Sequence, residues 1–130
     1  MILAIRTDKP IAELHLIDAD GKVAQSHEWQ ADRQLADTLL KTMLDFLKRH
    51  DVSPEQLDGI AVFTGKGSFT GLRIGTTVAN AFAYSLNKKV VAVEGEDWLS
   101  HCAKNIQTAS TGEYAVPKYD GEPNITKPKA

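Results

Sequence analysis

Apolar and polar residues follow two different periods along this 130-residue chain, and these periods separate predicted strands from predicted helices. Short apolar or alternating stretches of about four to eight residues are typical of strands, because successive strand side chains point to opposite faces. The Asp20-Gly21 turn signal joins two of these stretches into a predicted hairpin. The predicted strands are Met1–Ile5, Ala12–Asp18, Val23–Trp29, Ile60–Thr64 and Val90–Val93.

Longer segments with an apolar residue every three or four positions predict helices. They run from Asp32, the predicted N-cap, to His50, over Thr70–Leu86, and near Glu96–Asn105. Ser53-Pro54-Glu55-Gln56 combines a capping box with a first-turn proline, which predicts one further helical turn. Crossovers between parallel strands place helices on the faces of a sheet, so this order predicts a layered α/β domain.

The length predicts one domain, and the composition adds limits on function. Hydrophobic content of 42% and charged content of 25% are ordinary for a globular protein, and the formal net charge is −2. This charge gives no general attraction to nucleic acid or to an anionic membrane. Cys102 is the sole cysteine, which excludes an internal disulfide. No leader or membrane-spanning run is apparent, so we expect a cytoplasmic protein.

The composition changes near the C-terminus, where Thr, Ser, Gly, Pro and Lys dominate and no period survives. We interpret residues 1–106 as a folded lobe and residues 107–130 as an extended tail. The prolines of the tail forbid a long helix. Its apolar side chains are expected to dock weakly on the lobe: Tyr114, Val116, Tyr119 and Ile125.

The glycine-rich run from Phe63 to Gly75 joins a predicted strand to a predicted helix. Strand, glycine turn and helix N-terminus form an anion-binding geometry, but the same arrangement also packs a helix tightly on a sheet. The spacing does not match a P-loop, and we favour a surface position for its lysine. The candidate phosphate contacts are Gly65, Lys66, Gly67 and Ser68.

The sequence predicts no catalytic residue. The hydroxyls around the glycine turn have no base beside them in sequence, and we expect them to cap and brace the backbone. The four histidines lack metal-ligand spacing and are interpreted as structural. Among them, His15 is predicted on the strand face opposite Leu14 and Leu16.

The motif Gly-Lys-Gly-Ser-Phe-Thr-Gly-Leu-Arg-Ile-Gly at residues 65–75, with the opening Ile2–Thr7, resembles the bacterial TsaB (YeaZ) family. Lys66 stands where members mostly have proline, and Arg6 stands where they usually have Asp. The resemblance covers about residues 1–100. It implies a single ribonuclease-H-like lobe of the actin-type ATPase fold, with a mixed sheet and helices on its faces. The second, smaller lobe of the family is expected to be missing.

That family is the dimerisation subunit of the machinery that makes threonylcarbamoyladenosine in tRNA. The resemblance therefore implies a non-catalytic scaffold that binds and activates a TsaD-like catalytic subunit. We expect no cofactor or metal of its own, since the partner would use ATP and a metal ion. A TsaE-like ATPase is a further candidate partner, tRNA would be reached indirectly, and the isolated chain would form a homodimer.

An alternative is a half-size nucleotide-binding phosphotransferase or ATPase that completes its site by homodimerisation. Lys66 in the glycine turn favours this alternative. Arg6 opposes it, because a guanidinium is a fixed cation that cannot ligate a metal.

The resemblance also implies that the two longer helices form the partner surface. Their apolar residues exceed one stripe, and we expect Leu40, Met43 and Leu47 to face the sheet while others face a partner. Small residues at Gly71, Gly75, Ala79 and Ala83 predict a smooth ridge for close helix approach. The predicted interface residues are Leu35, Leu39, Thr42, Phe46, Phe69, Leu72, Arg73, Thr76, Ala79, Asn80 and Ala83.

Overall fold

The computed structural model describes residues 1–65 and 69–115, apart from the side chains of Asp32 and Phe69. Within these residues, five strands form one mixed sheet. The strands are β1 (Ile2–Arg6), β2 (Ile11–Ile17), β3 (Val23–Gln30), β4 (Gly59–Phe63) and β5 (Lys89–Val93). They lie in the order β3-β2-β1-β4-β5, so β1 is central. The pairs β1–β2 and β2–β3 are antiparallel, whereas β1–β4 and β4–β5 are parallel.

Three helices cover the two faces of this sheet: α1 (Leu35–Arg49), α2 (Phe69–Leu86) and α3 (Trp98–Thr108). Helices α1 and α2 contact each other and share one core with the sheet, while α3 packs on the other face in a second core. Side chains of β1 alternate between the two cores, with Leu3 and Ile5 in the first and Ile2 and Ala4 in the second. The predicted α/β class with helices on both faces is confirmed.

The predicted elements are present, with differences at their ends. Asp32 lies in a short 3-10 turn, and α1 itself begins at Leu35 without a side-chain cap. The last helix starts and ends later than predicted, at Trp98 and Thr108. The predicted turn at Pro54–Gln56 is confirmed, and the Gln56 Oε1 atom accepts a hydrogen bond from the Ser53 backbone N–H at 2.7 Å.

The prediction of which α1 residues face the sheet is confirmed for Met43 and Leu47 and wrong for Leu40. Leu35, Leu39 and Phe46 are buried in the first core, whereas Leu40 is 46% exposed. The buried residues form one helical stripe that also includes Met43 and Leu47. At roughly 100° per residue, Leu40 lies about 90° from the middle of that stripe. The sheet therefore also covers Leu35, Leu39 and Phe46, which were predicted to face a partner.

The small residues of α2 also face the sheet, and the predicted partner ridge is wrong. Ala79 and Ala83 belong to the first core. The Gly71 carbonyl accepts a hydrogen bond from the Thr7 hydroxyl at 2.7 Å. At Gly75, a Cβ atom would collide with the Thr7 side chain. The small residues therefore let α2 approach the end of β1 closely, and an arginine at Ala79 would disrupt the core.

The segment after α3 is held by a side chain of α2. The Asn80 amide donates to the Ala115 carbonyl at 3.0 Å and accepts from the Ala115 N–H at 2.9 Å. Ala115 is buried, whereas Tyr114 is 58% exposed, so the predicted docking through Tyr114 is wrong. The other predicted docking residues, Val116, Tyr119 and Ile125, lie outside the described residues.

Candidate functional site

A groove of about 370 Å³ lies between α1 and α2 on their solvent side. It is bounded by Ala36 on α1 and, on α2, by Thr70, Arg73, Ile74, Thr77 and Val78. Its position follows from the packing of both helices on the sheet, because their buried stripes turn the opposite sides of the helices toward solvent.

Large apolar side chains extend this surface on both helices. Leu40 and Leu44 of α1 are 46% and 42% exposed, and Tyr84 of α2 is 75% exposed. Exposed apolar side chains beside a groove are a feature of protein-binding surfaces, whereas isolated ones are common on any protein. Together with the groove, these three residues define what we call the two-helix surface.

Few of the predicted interface residues belong to the two-helix surface. Arg73 is exposed and lines the groove, while Thr42 and Asn80 are half-buried. Asn80 is engaged with Ala115. The side chain of Phe69 lies outside the described residues. Within the single chain, the remaining members are buried: Leu35, Leu39, Phe46, Leu72, Thr76, Ala79 and Ala83.

The sequence analysis missed Ala36, Leu44, Thr77 and Tyr84 as members of this surface. The spacing of residues on α2 carried a signal for this surface. Thr77 and Tyr84 are seven positions apart and therefore lie on one face of the helix, as do residues 73 and 80. It was obscured because both helices carry apolar residues around most of their circumference.

The end of β1 carries a bidentate ion pair between Arg6 and Asp8. The guanidinium Nε atom lies 2.8 Å from one carboxylate oxygen, and a terminal nitrogen lies 3.1 Å from the other. The Asp8 side chain is almost fully buried, and the guanidinium stacks 3.9 Å from the centre of the Phe63 ring. Arg6 therefore balances the charge of Asp8 and binds both carboxylate oxygens, while the Phe63 ring holds the guanidinium in place.

The glycine turn follows β4, at the end of the sheet where the parallel strand β1 also ends. A Cβ atom at Gly65 would approach the Phe63 ring to 2.6 Å, so this position favours glycine on packing grounds. The other candidate phosphate contacts, Lys66, Gly67 and Ser68, lie outside the described residues.

A cleft of about 740 Å³ lies between the β1–β2 turn, the segment before α1 and the start of α2. Cationic side chains of Lys9 and Arg33 line it, as do Thr7 and Thr70. The volume is in the range of small-molecule sites.

Burial raises the pKa of the Cys102 thiol to about 12. A thiol in this environment is protonated at neutral pH and is a poor nucleophile. No cluster of three potential metal-ligating side chains occurs among residues 1–65 and 69–115. In the same residues, none of the helices is both long and apolar enough to cross a membrane.

Comparisons with known proteins place this architecture in a family. Residues 28–117 match the family model of TsaD, tRNA N6-adenosine threonylcarbamoyltransferase. The chain is 30% identical over 99 residues to the tRNA threonylcarbamoyladenosine biosynthesis protein TsaB of Bacillus subtilis (strain 168). That alignment covers 76% of this chain and 43% of the relative, so the chain spans less than half the length of that protein.

Solved structures agree with this assignment. YeaZ from Pseudomonas aeruginosa superposes with a TM-score of 0.67 and 31% identity, over 82% of this chain and 49% of that one. A second structure, described as an uncharacterized protein with similarity to peptidase YEAZ from Pseudomonas aeruginosa, superposes with a TM-score of 0.65 and 32% identity. This match covers 72% of this chain and 42% of the other. The chain therefore belongs to the TsaB (YeaZ) family, within the wider group described by the TsaD family model.

Proposed function

We propose that this protein is a non-catalytic scaffold subunit in the formation of threonylcarbamoyladenosine in tRNA. It binds and activates a TsaD-like catalytic subunit through the two-helix surface. The observation that carries the proposal is the groove between α1 and α2, together with the exposed Leu40, Leu44 and Tyr84 on the same two helices. A surface of this kind is suited to packing two helices of a partner.

The remaining roles follow from this assignment. The TsaD-like subunit uses ATP and a metal ion, a TsaE-like ATPase joins the assembly, and tRNA is contacted through these partners. In isolation, two copies associate through the same surface. The ion pair at the end of β1 supports the absence of catalysis, since both carboxylate oxygens of Asp8 are bound by Arg6.

The 740 Å³ cleft favours one alternative function. Lys9 and Arg33 line it beside Thr70 at the start of α2, where the positive end of the helix dipole favours anions. A half-size phosphotransferase or ATPase could hold the phosphates of a nucleotide there and complete its site by homodimerisation. Nucleotide binding without any partner would distinguish this function from the scaffold.

The scaffold proposal is tested by placing a cation in the groove. Thr77→Arg introduces a long charged side chain at an exposed position that lines the groove. Thr108→Arg makes the same change at an exposed position at the end of α3, on the other face of the sheet. We expect Thr77→Arg to weaken binding to a TsaD-like protein at least about tenfold, equivalent to about 1.4 kcal/mol.

Binding is measured by isothermal titration calorimetry, and self-association is measured by analytical ultracentrifugation. The Thr108→Arg control should bind as the unchanged protein does. Equal loss in both variants, or unchanged binding by Thr77→Arg, would remove α1 and α2 as the partner surface.

A further inference from the structure

The sheet face opposite the two-helix surface carries a linked row of three polar side chains: Glu13, His15 and Ser26. The His15 Nε2 atom lies 2.9 Å from the Glu13 carboxylate, and its Nδ1 atom lies 2.7 Å from the Ser26 hydroxyl. Strand register produces the row, because His15 pairs directly with Ser26 across β2 and β3. Glu13 lies two positions before His15, on the same face of β2.

The chemistry of the partners assigns the protons in this row. A carboxylate only accepts hydrogen bonds, so the Nε2 atom of His15 carries the proton toward Glu13. In the neutral imidazole the Nδ1 atom is then an acceptor, and the Ser26 hydroxyl donates to it. The row therefore has the order acid, base and hydroxyl, in which the acid orients the base and the base polarises the hydroxyl.

The base in this row is buried, whereas the hydroxyl that it binds is exposed. The side chain of His15 is only 9% exposed and meets the Trp98 ring edge-on, with 5.7 Å between ring centres. The Glu13 side chain is 22% exposed, and Ser26 is an exposed residue. The base is therefore fixed by packing, while its hydroxyl partner is open to reagents from solvent.

We propose that Ser26 is an activated nucleophile that accepts acyl groups from small activated esters, with His15 as its general base and Glu13 as the positioning residue. This site lies on β2 and β3, away from α1 and α2, and it does not depend on the scaffold function. The carrying observation is the pair of short hydrogen bonds on one imidazole.

In the proposed reaction, the Ser26 oxygen attacks the ester carbonyl carbon while its proton passes to the Nδ1 atom of His15. The tetrahedral intermediate collapses by breaking the bond to the leaving oxygen, and His15 gives its proton to the departing alcohol or, where a phenoxide leaves as an anion, releases it to solvent. The product is an acyl ester of Ser26. Water then attacks this ester with His15 again as base, which releases the carboxylic acid and restores Ser26.

The position of Ser26 also supplies hydrogen-bond donors. Among residues 1–65 and 69–115, β3 is an edge strand of the sheet, and alternate residues of an antiparallel edge strand direct their backbone N–H groups away from the neighbouring strand. Either Ser26 or both of its neighbours in the strand therefore present an N–H group to solvent. Such groups stabilise the negative charge that develops on the carbonyl oxygen.

The test is acylation of the full chain by p-nitrophenyl acetate, followed by intact mass and peptide mapping. We expect one acetyl group on Ser26, formed with a burst of p-nitrophenoxide, and no burst in Ser26→Ala. Ser100→Ala is the matched control, because Ser100 lies at an exposed position and its hydroxyl donates to the Asp97 carbonyl, not to an imidazole. The control should retain both the burst and the adduct.

The role of the base is tested with His15→Gln and Glu13→Gln, with folding checked by circular dichroism. General-base catalysis contributes about 10² to 10⁴ in rate, so His15→Gln should slow acetylation of Ser26 by about 10² or more. Glu13 is partly exposed, so Glu13→Gln provides a second variant if His15→Gln fails to fold, and it should slow acetylation about tenfold. Absence of an adduct on Ser26, an equal rate at Ser100, or an unchanged rate in the folded base variants would overturn the proposal.

Discussion

At the scale of single residues, the contact between Thr7 and α2 determines how closely the helix approaches β1. The Thr7 hydroxyl is buried, donates to the Gly71 carbonyl, and lies where a Cβ atom of Gly75 would be. Gly71 and Gly75 of the signature thus have the packing role that the sequence analysis weighed against anion binding. The contact between Thr7 and Gly75 therefore predicts how a substitution at Gly75 changes the stability of the protein.

Gly75→Ala is expected to destabilise the protein although alanine favours helices. The helix gains about 1 kcal/mol from the removed glycine, but displacing the buried Thr7 hydroxyl costs about 1–3 kcal/mol. Urea denaturation should show a net loss, and Thr7→Ala in the same chain should recover part of it. Thr77→Ala, at an exposed position of α2, should change the free energy of unfolding by less than about 0.5 kcal/mol. A stabilised Gly75→Ala protein would contradict the packing role.

The buried thiol of Cys102 is expected to make the folded protein less stable at alkaline pH. Its pKa is raised from the ordinary 9.0 to about 12 in the folded state, so the unfolded thiol ionises first as pH rises. This stability is fully present below pH 9.0 and is lost between pH 9.0 and about 12. Relative to Cys102→Ala, the unchanged protein should lose about 1.4 kcal/mol per pH unit in that window. Urea midpoints at pH 8, 9 and 10 measure this difference, and parallel pH curves for both proteins would refute it.

At the scale of elements, the side chain of Asn80 hydrogen-bonds the backbone of the segment after α3, as the backbone of a neighbouring strand would. Its amide hydrogen-bonds both backbone groups of Ala115, which lies outside the helices and strands. The docking of this segment therefore depends on one polar side chain on α2 as well as on apolar burial. The sequence analysis assigned Asn80 to a partner surface because a side chain that binds a distant backbone leaves no periodic signal.

Asn80→Ala is expected to release this segment while leaving the sheet intact. Removing the amide leaves two backbone groups of Ala115 without this partner, at a cost of about 1–3 kcal/mol. Hydrogen exchange at the Ala115 amide should accelerate at least about tenfold, while exchange in β1 stays unchanged. Asn105→Ala, on α3, serves as the control and should leave the Ala115 amide as slow as before. Unchanged protection in Asn80→Ala would mean that other contacts hold the segment.

The strands and helices also show which structural features a sequence can predict and which it cannot. Alternation placed Leu14 and Leu16 on one face of β2 and His15 on the other, and the structure confirms this placement. Leu40 was predicted on the wrong side of α1 because the apolar residues of this helix cover several stripes, and only contact with the sheet selects one of them. The pairing of His15 with Ser26 depends on the strand register, which no local pattern contains.

At the scale of the whole molecule, the described residues form one lobe with a different surface on each face of its sheet. One face presents the two-helix surface, and the other presents the row of Glu13, His15 and Ser26. The cleft with Lys9 and Arg33 lies at the end of β1 and shares Thr70 and Ile74 with the groove of the two-helix surface. The separation between the two faces of the sheet allows the scaffold role and the acylation of Ser26 to be tested without disturbing each other.

Purified protein with Mg-ATP is expected to show no turnover above buffer. Phosphoryl transfer needs metal ions that neutralise charge, and Arg6 occupies the carboxylate of Asp8 at the strand end. Phosphate release is measured with a coupled assay, and Lys66→Ala is the diagnostic variant. A turnover that Lys66→Ala abolishes would instead support the phosphotransferase alternative.

The central position of β1 has a consequence for the order in which the protein folds. On one side Ile2 pairs with Ile17, which is close in the chain, and on the other side it pairs with Gly59. The β1–β2–β3 meander can therefore form early, whereas closure against β4 requires a much longer loop and a larger loss of chain entropy. During synthesis, the apolar flank of β1 stays uncovered until β4 has left the ribosome, so the nascent chain passes through an interval in which it is prone to mispairing.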